Sequence, residues 1–219
     1  MKKWIGTLIV VGLCVGQGMA QYVYWQGTNS TYSGDFETPS NWQGNVVPGI
    51  ADWACFKNSN GKNWRIALNS DVTNDTVLAD MESLNNETLF VLNQHVWTAT
   101  NRFIFRKGVG GLVTITNGTL RTRLLQCSPE AATNYYMTLA MKDVACEASN
   151  ATFAASTVTF DGGVLNCLSV TNALTMGTPG YGKGTLILRN GAQCNVTNSL
   201  SIGDAAGATG ELVNVSGQI

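Results

Sequence analysis

Short alternations of apolar and polar residues recur along this chain, and they recur in step. From Gly184 the sequence reads GTLILRNGAQCNVTNSLSIG. Leu186 and Leu188 take one side of a strand, and Thr185, Ile187 and Arg189 take the other. Asn190-Gly191 is a turn signal, Cys194 and Val196 alternate again, Asn198 marks a corner, and Leu200 pairs with Ile202. The unit before it, STVTFDGGVLNCLSVTNALTMG from Ser156, has the same grammar. Val158 and Phe160 correspond to Leu186 and Leu188, and Leu174 and Met176 to Leu200 and Ile202. Leu168 and Val170 correspond to Cys194 and Val196 across a short insertion. GGLVTITNGTL from Gly110 offers Val113 and Ile115 before its Asn117-Gly118 turn. GELVNVSGQI from Gly210 offers Val213 and Val215 in a register shifted by one, which leaves its inward set open.

VTNALTMG starts at Val170 and VTNSLSIG at Val196, a period of about 26 residues. The step from Ser156 to Gly184 is slightly longer. Three short strands per period close one triangular coil, and successive coils stack at about 4.8 Å. One coil alone cannot bury its inner side, whereas a stack can. The pattern therefore predicts an all-β chain folded as a right-handed parallel β-helix, a β-solenoid, with glycine and asparagine at the corners. A sandwich or propeller of hairpins is the alternative. Residues 88–111 fit a diverged coil, residues 65–86 fit less well, and residues 128–155 read as a coil carrying an insertion.

Residues 1–20, MKKWIGTLIVVGLCVGQGMA, stand outside this pattern. Lys2 and Lys3, the apolar run Ile5 to Val15, and small Gly18 and Ala20 make a secretory signal peptide cleaved after Ala20. Cys14 would admit lipidation, but Leu13 stands where a small residue is expected. Removal of the leader leaves 11 basic and 14 acidic side chains, a net charge near −3, which is no footprint for nucleic acid. It also leaves no membrane span, because the one long apolar run is the leader itself. Five cysteines remain (Cys55, Cys127, Cys146, Cys167 and Cys194), and an odd count without CxxC reads as buried small hydrophobes.

Residues 21–60 are expected to cap a solenoid that occupies 61–219. An exposed first coil would present free strand edges and an apolar cross-section. Trp25, Trp42, Trp53 and Phe56 are candidates to plug it. Asp35, Asn41 and Asp52 suit turns, with Phe36 and Pro48 completing the motif. The sharper reading makes Trp25, Trp42 and Trp53 an exposed sugar-stacking platform. The skeleton Trp25, Gly34-Asp35-Phe36, Asn41-Trp42, Pro48, Asp52-x-Ala54-x-Phe56 resembles the opening of autotransporter-associated β-strand-repeat proteins and related surface-sorted bacterial proteins. VTNSLSIGDAAGATGELVNVSGQI is similar to their repeat unit. The resemblance covers the N-terminal segment 25–56 and the C-terminal repeats from Ser156 onward. It implies a cell-surface location and a solenoid, and brings no catalytic residues with it.

Chemistry is sparse. His95 is the single histidine, so any histidine-based nucleophilic site would have to use it. Asp71, Asp75 and Asp80 cluster in SDVTNDTVLAD, Arg121 and Arg123 share a strand face, and RFIFRK mixes basic and aromatic residues. Nothing stacks two carboxylates on consecutive coils, which a sugar-cleaving pair would need. No catalytic residue, metal or cofactor is expected. The sequence points to an exported structural or adhesive surface solenoid. Its expected partners are glycans or other surface proteins, with self-association through an open edge where Ile219 falls inside a repeat. Two alternatives are the N-terminal part of a carbohydrate-active β-helix enzyme and a glycan-binding module.

Overall fold

The computed structural model describes residues 20–27, 32–59, 61–81, 87–106, 109–128, 136–169, 173–177, 183–203 and 208–219. The expected leader, apart from Ala20, and residues 170–172, where a corner is expected, lie outside them. Sixteen strands are formed among the described residues. In chain order they are β1 (Tyr22–Tyr24), β2 (Gly34–Asp35), β3 (Trp53–Asn58), β4 (Trp64–Ala67), β5 (Val72–Met81) and β6 (Glu87–Val91). The long strands β7 (Val96–Arg106), β8 (Val109–Cys127) and β9 (Tyr136–Phe153) bend around corners. The last are β10 (Ser156–Asp161), β11 (Val164–Cys167), β12 (Leu174–Met176), β13 (Gly184–Arg189), β14 (Gln193–Val196), β15 (Leu200–Ile202) and β16 (Gly210–Asn214).

Every pairing between these strands is parallel, and the pairs form three faces. The first face stacks β1, β3, the second half of β5, the ends of β7, β8 and β9, then β12 and β15. The second stacks β2, β4, β6, the first part of β8, the start of β9, β10, β13 and β16. The third stacks residues 72–74, 96–99, 119–122 and 145–148 with β11 and β14. This is a parallel β-solenoid of coils about 26 residues long. Among the described residues no helix is long and apolar enough to cross a membrane.

Alternation decides what enters the bore. On the first face Phe56, Ala79, Phe105, Cys127, Phe153 and Met176 fall in one column. On the second, Ile66, Phe90, Ile115, Met141, Phe160 and Leu188 do the same. On the third, Trp97, Leu120, Cys146, Leu165 and Cys194 form the column. All are buried in one continuous core. The register confirms most of the repeat: Leu174 lies on Leu200, Met176 on Ile202, Val158 on Leu186 and Phe160 on Leu188.

Two correspondences read from the sequence shift. Cys194 and Val196 lie on Leu165 and Cys167, not on Leu168 and Val170. The extra residues follow β11 instead of interrupting it; Leu168 is 58% exposed, and residue 170 lies outside the described residues. In the last unit Leu186 lies on Leu212 and Leu188 on Asn214, so Val213 faces outward and Val215 is exposed. Within the stretch expected to fit less well, residues 65–81 supply most of β4 and all of β5, a fuller coil than their pattern promises, and residues 82–86 lie outside the described residues. The insertion expected in 128–155 does not lengthen the coil, since Leu125 lies on Ala151 and Cys127 on Phe153 at the ordinary spacing of about 26 residues; the departure that follows is a shortening. Leu139 and Val158 sit on adjacent rungs, although the chain between them is well short of a full coil. The chain turns from β9 into β10 through Ala154 and Ala155, and Ala155 holds a left-handed φ of 43°. Buried Ser156 donates its hydroxyl to the Cys127 carbonyl at 3.1 Å and ties this corner down.

The glycine corners give a direct test. Gly163 has φ +72°, and a Cβ there would stand 2.2 Å from the Val144 carbonyl oxygen. Gly191 has φ +74° but open space around it. Gly191→Ala is expected to cost about 1 kcal/mol from the left-handed backbone alone. Gly163→Ala should cost roughly 3 kcal/mol, because strain and clash add. Urea unfolding monitored by circular dichroism separates the two; equal losses would mean that the corners do not pack as described.

Candidate binding face and the N-terminal plug

Residues 21–60 do not stand apart as a separate cap. β1 and β3 belong to the sheet of the first face, and β2 to that of the second. The segment that closes the bore is the stretch between β2 and β3, with two short 3-10 turns at Pro39–Asn41 and Gln43–Asn45. Phe36 and Phe56 are fully buried, Trp42 is 1% and Trp25 4% exposed. Their rings meet edge to face: Trp25 and Trp42 at 5.1 Å, Trp42 and Phe56 at 5.3 Å, Phe36 and Trp97 at 5.5 Å. Such pairs each add about 0.5–1.5 kcal/mol beyond burial.

Most polar atoms in the plug find partners, buried Glu37 Oε2 being an exception. Trp42 Nε1 donates to the Phe36 carbonyl at 2.6 Å, and Trp25 Nε1 to the Tyr32 carbonyl at 3.2 Å. Buried Asn41 donates to the Asp35 carbonyl at 2.9 Å, whereas the Asp35 side chain is exposed. Asp52 accepts from the Gly49 and Gln21 amides at 2.8 and 3.2 Å. The carbonyl of buried Pro48 accepts from Asn74 Nδ2 at 2.9 Å, and Trp97 Nε1 donates to Asn74 Oδ1 at 3.0 Å. Asn74 therefore locks the plug to the coil above it.

The three tryptophans are thus not one platform. Trp25 and Trp42 are inside, where no sugar can reach a ring face. Trp53 stands outside, because alternation along β3 turns Ala54 and Phe56 inward. On the outer side of the first face Tyr22, Trp53, Thr76 and Arg102 occupy successive rungs. Tyr22 and Trp53 lie 4.6 Å apart at 46°, and the Arg102 guanidinium sits 5.4 Å from the Trp53 ring centre. The next column runs Tyr24, Cys55, Leu78 and Ile104; the last three are buried although they point outward, and Trp53 packs against them. Tyr22 and Tyr24, missed in the sequence, are 55% and 39% exposed. The signal was there in YVY, where Val23 must face the core.

The acids of SDVTNDTVLAD are separated by the coil. Asp80 is gripped by Arg106 through Nε and Nη2 at 3.1 and 3.2 Å. Asp75 accepts from the Thr76 hydroxyl at 2.9 Å. Asp71 accepts from the Val96 amide at 2.9 Å, and this bond above all holds its pKa below the usual carboxylate range. His95, 3.4 Å from Asp71, adds to the same effect. Arg121 pairs with Glu147 at 2.8 Å, and Arg123 donates to Asn101 at 2.9 Å. Asp161 lies on Arg189, and its carboxylate accepts from Asn190 Nδ2. In RFIFRK, Phe103 and Phe105 are in the core while Arg102 and Arg106 face outward, so the run is an ordinary strand. Among the described residues no group of three metal-ligating side chains converges.

All five described cysteines are free and buried. Burial pushes Cys55, Cys127 and Cys167 up to about 12 and Cys194 up to about 11, and raises Cys146 as well. A thiol whose folded pKa is raised stabilises the fold fully below the unfolded value and loses that contribution as pH climbs. Stability should therefore fall from about pH 9 towards pH 12, and iodoacetamide at pH 8.5 should label the protein only in denaturant. Rapid labelling of the native protein would contradict the buried columns. Trp42→Ala should lower the unfolding free energy by about 3–5 kcal/mol. Trp53→Ala should cost nearer 1 kcal/mol, a difference of roughly 2–4 kcal/mol that denaturant titration resolves.

Set against known proteins, the chain matches no family model, no curated protein and no solved structure, so the reading of its outer face rests on geometry and chemistry alone.

Proposed function

We propose that the chain is an exported cell-surface protein with a structural or adhesive role, acting as a rigid display rod. The observation that carries this is the way outward side chains bond along the axis. On the third face Thr73, Thr98, Arg121, Glu147, Asn166 and Asn195 occupy one outward column. Within it Arg121 pairs with Glu147, and Asn195 donates to Asn166 at 2.8 Å. Bonds that run from rung to rung stiffen the stack and leave a nearly neutral, hydroxyl- and amide-rich exterior. The leader-like N-terminus and the resemblance to surface-sorted proteins support the location.

The reading as part of a carbohydrate-active enzyme draws no support from the described carboxylates. Asp80 is paired with Arg106, Asp71 with His95 and Glu147 with Arg121, so each is already engaged by a neighbour. The glycan-binding reading gains one specific observation, the outward column of Tyr22, Trp53 and Arg102. Fractionation of cells with protease shaving tests the main proposal. The mature chain is expected to begin at Gln21 and to be shaved from intact cells. A cytoplasmic product that retains Met1 would overturn it.

A further inference from the structure

Trp53 is the one described tryptophan outside the bore, and Arg102 beside it is short of partners. The Arg102 Nε is sealed from water with no hydrogen-bond acceptor, and its guanidinium rests on the Trp53 ring. The Nη nitrogens of the same guanidinium are not sealed, and a carboxylate supplied by a ligand would meet them through charge-assisted bonds. Asp75, which precedes the Arg102 rung partner Thr76, accepts from the Thr76 hydroxyl at 2.9 Å, and Asp80, further along the strand, is held by Arg106 at two nitrogens. Tyr22 and Tyr24, on one side of β1, stand at the same surface with exposed rings.

We propose that this column binds an acidic polysaccharide. A pyranose ring presents a face of C–H bonds that packs on an aromatic ring as other apolar surface does, and a rim of hydroxyls that tyrosine and backbone groups can meet. Tyr22 and Tyr24 take the sugar faces. Arg102, fixed by Trp53, takes a uronate carboxylate. Tyr22, Trp53, Thr76 and Arg102 lie on four successive rungs, and the Tyr22 ring at 4.6 Å and the Arg102 guanidinium at 5.4 Å from the Trp53 ring stand up to about 10 Å apart along the axis. The ligand is therefore an extended glycan lying along the solenoid axis, not a single sugar. The proposal rests on the surface-adhesive reading for its biological setting, but binding and location are measured separately. A protein that binds yet stays inside the cell would sink only the location, and a shaved protein that fails to bind would sink only this site.

The test is titration of the protein with polygalacturonate, with dextran as the neutral sugar and polyglutamate as the bare polyanion. Polygalacturonate is expected to quench tryptophan fluorescence, and Trp53→Phe should abolish the quenching while calorimetry still detects binding. Arg102→Gln should weaken binding at least 10-fold, and so should Tyr22→Ala combined with Tyr24→Ala, with circular dichroism unchanged. The tyrosine pair lies at the rim, so it remains informative if Arg102→Gln fails to fold. Absence of binding, equal binding of dextran or polyglutamate, or full affinity in the tyrosine variant would each overturn the proposal.

Discussion

A parallel coil cannot satisfy its own backbone. Its N–H and C=O groups point along the solenoid axis, and each must find a partner on the rung above or below. Everything else in this chain follows from keeping those rungs aligned. Where the Cys55 carbonyl receives the Trp25 amide, or the Phe153 carbonyl the Gly177 amide, the bond also fixes which side chains stack. A slip of one residue would turn a whole face inside out. Corners are free to vary because they carry little of this ladder. The step from Leu139 to Val158 can therefore be much shorter than the step from Val158 to Leu186, while the inward column stays continuous.

The same alignment explains the chemistry of the exterior. Like side chains on adjacent rungs stand about 4.8 Å apart, close enough for amide to meet amide and cation to meet carboxylate. Asn166 with Asn195 and Arg121 with Glu147 use that distance, and Lys183 reaches Glu211 diagonally, since Glu211 lies on Thr185. Rings behave likewise. Trp53 is flanked by Tyr22 on one rung and approached by Arg102 from the other direction, so the column presents the tyrosine faces and the guanidinium more than the indole.

Much of this was legible wherever alternation and turn residues agreed. Val158 with Leu186 and Leu174 with Leu200 could be read from the letters, because a fixed offset and flanking Asn-Gly or Gly-Gly turns both pointed to the same register. Leu168 misled because apolar letters continue past the end of β11, and composition does not reveal where a strand stops. Val213 misled because the offset from Gly210 looked shifted, whereas Gly184 lies directly on Gly210. The corner at Ala154 and Ala155 carries no glycine or proline, so nothing in the sequence announced a turn. The tryptophan motif was read as one unit, yet Trp42 and Trp53 sit on opposite sides of the sheet. Alternation along β3 turns Trp53 outward, whereas Trp42 lies between the two 3-10 turns of the plug.

The rings are unevenly distributed along the axis. From Trp25 and Trp42 through Phe56, Phe90 and Trp97 to Phe103 and Phe105 they form a connected chain of contacts, and beyond Phe105 no further ring pair forms among the described residues. Later coils are filled by leucine, methionine and thiols, with isolated Phe153 and Phe160. In a stack where each coil leans only on its neighbours, cohesion is local. The coils made first by the ribosome are then the ones with the strongest mutual grip, and each new coil finds a finished template beneath it. The aromatic plug thus gives the assembly of the rod a direction, from the first coil outward.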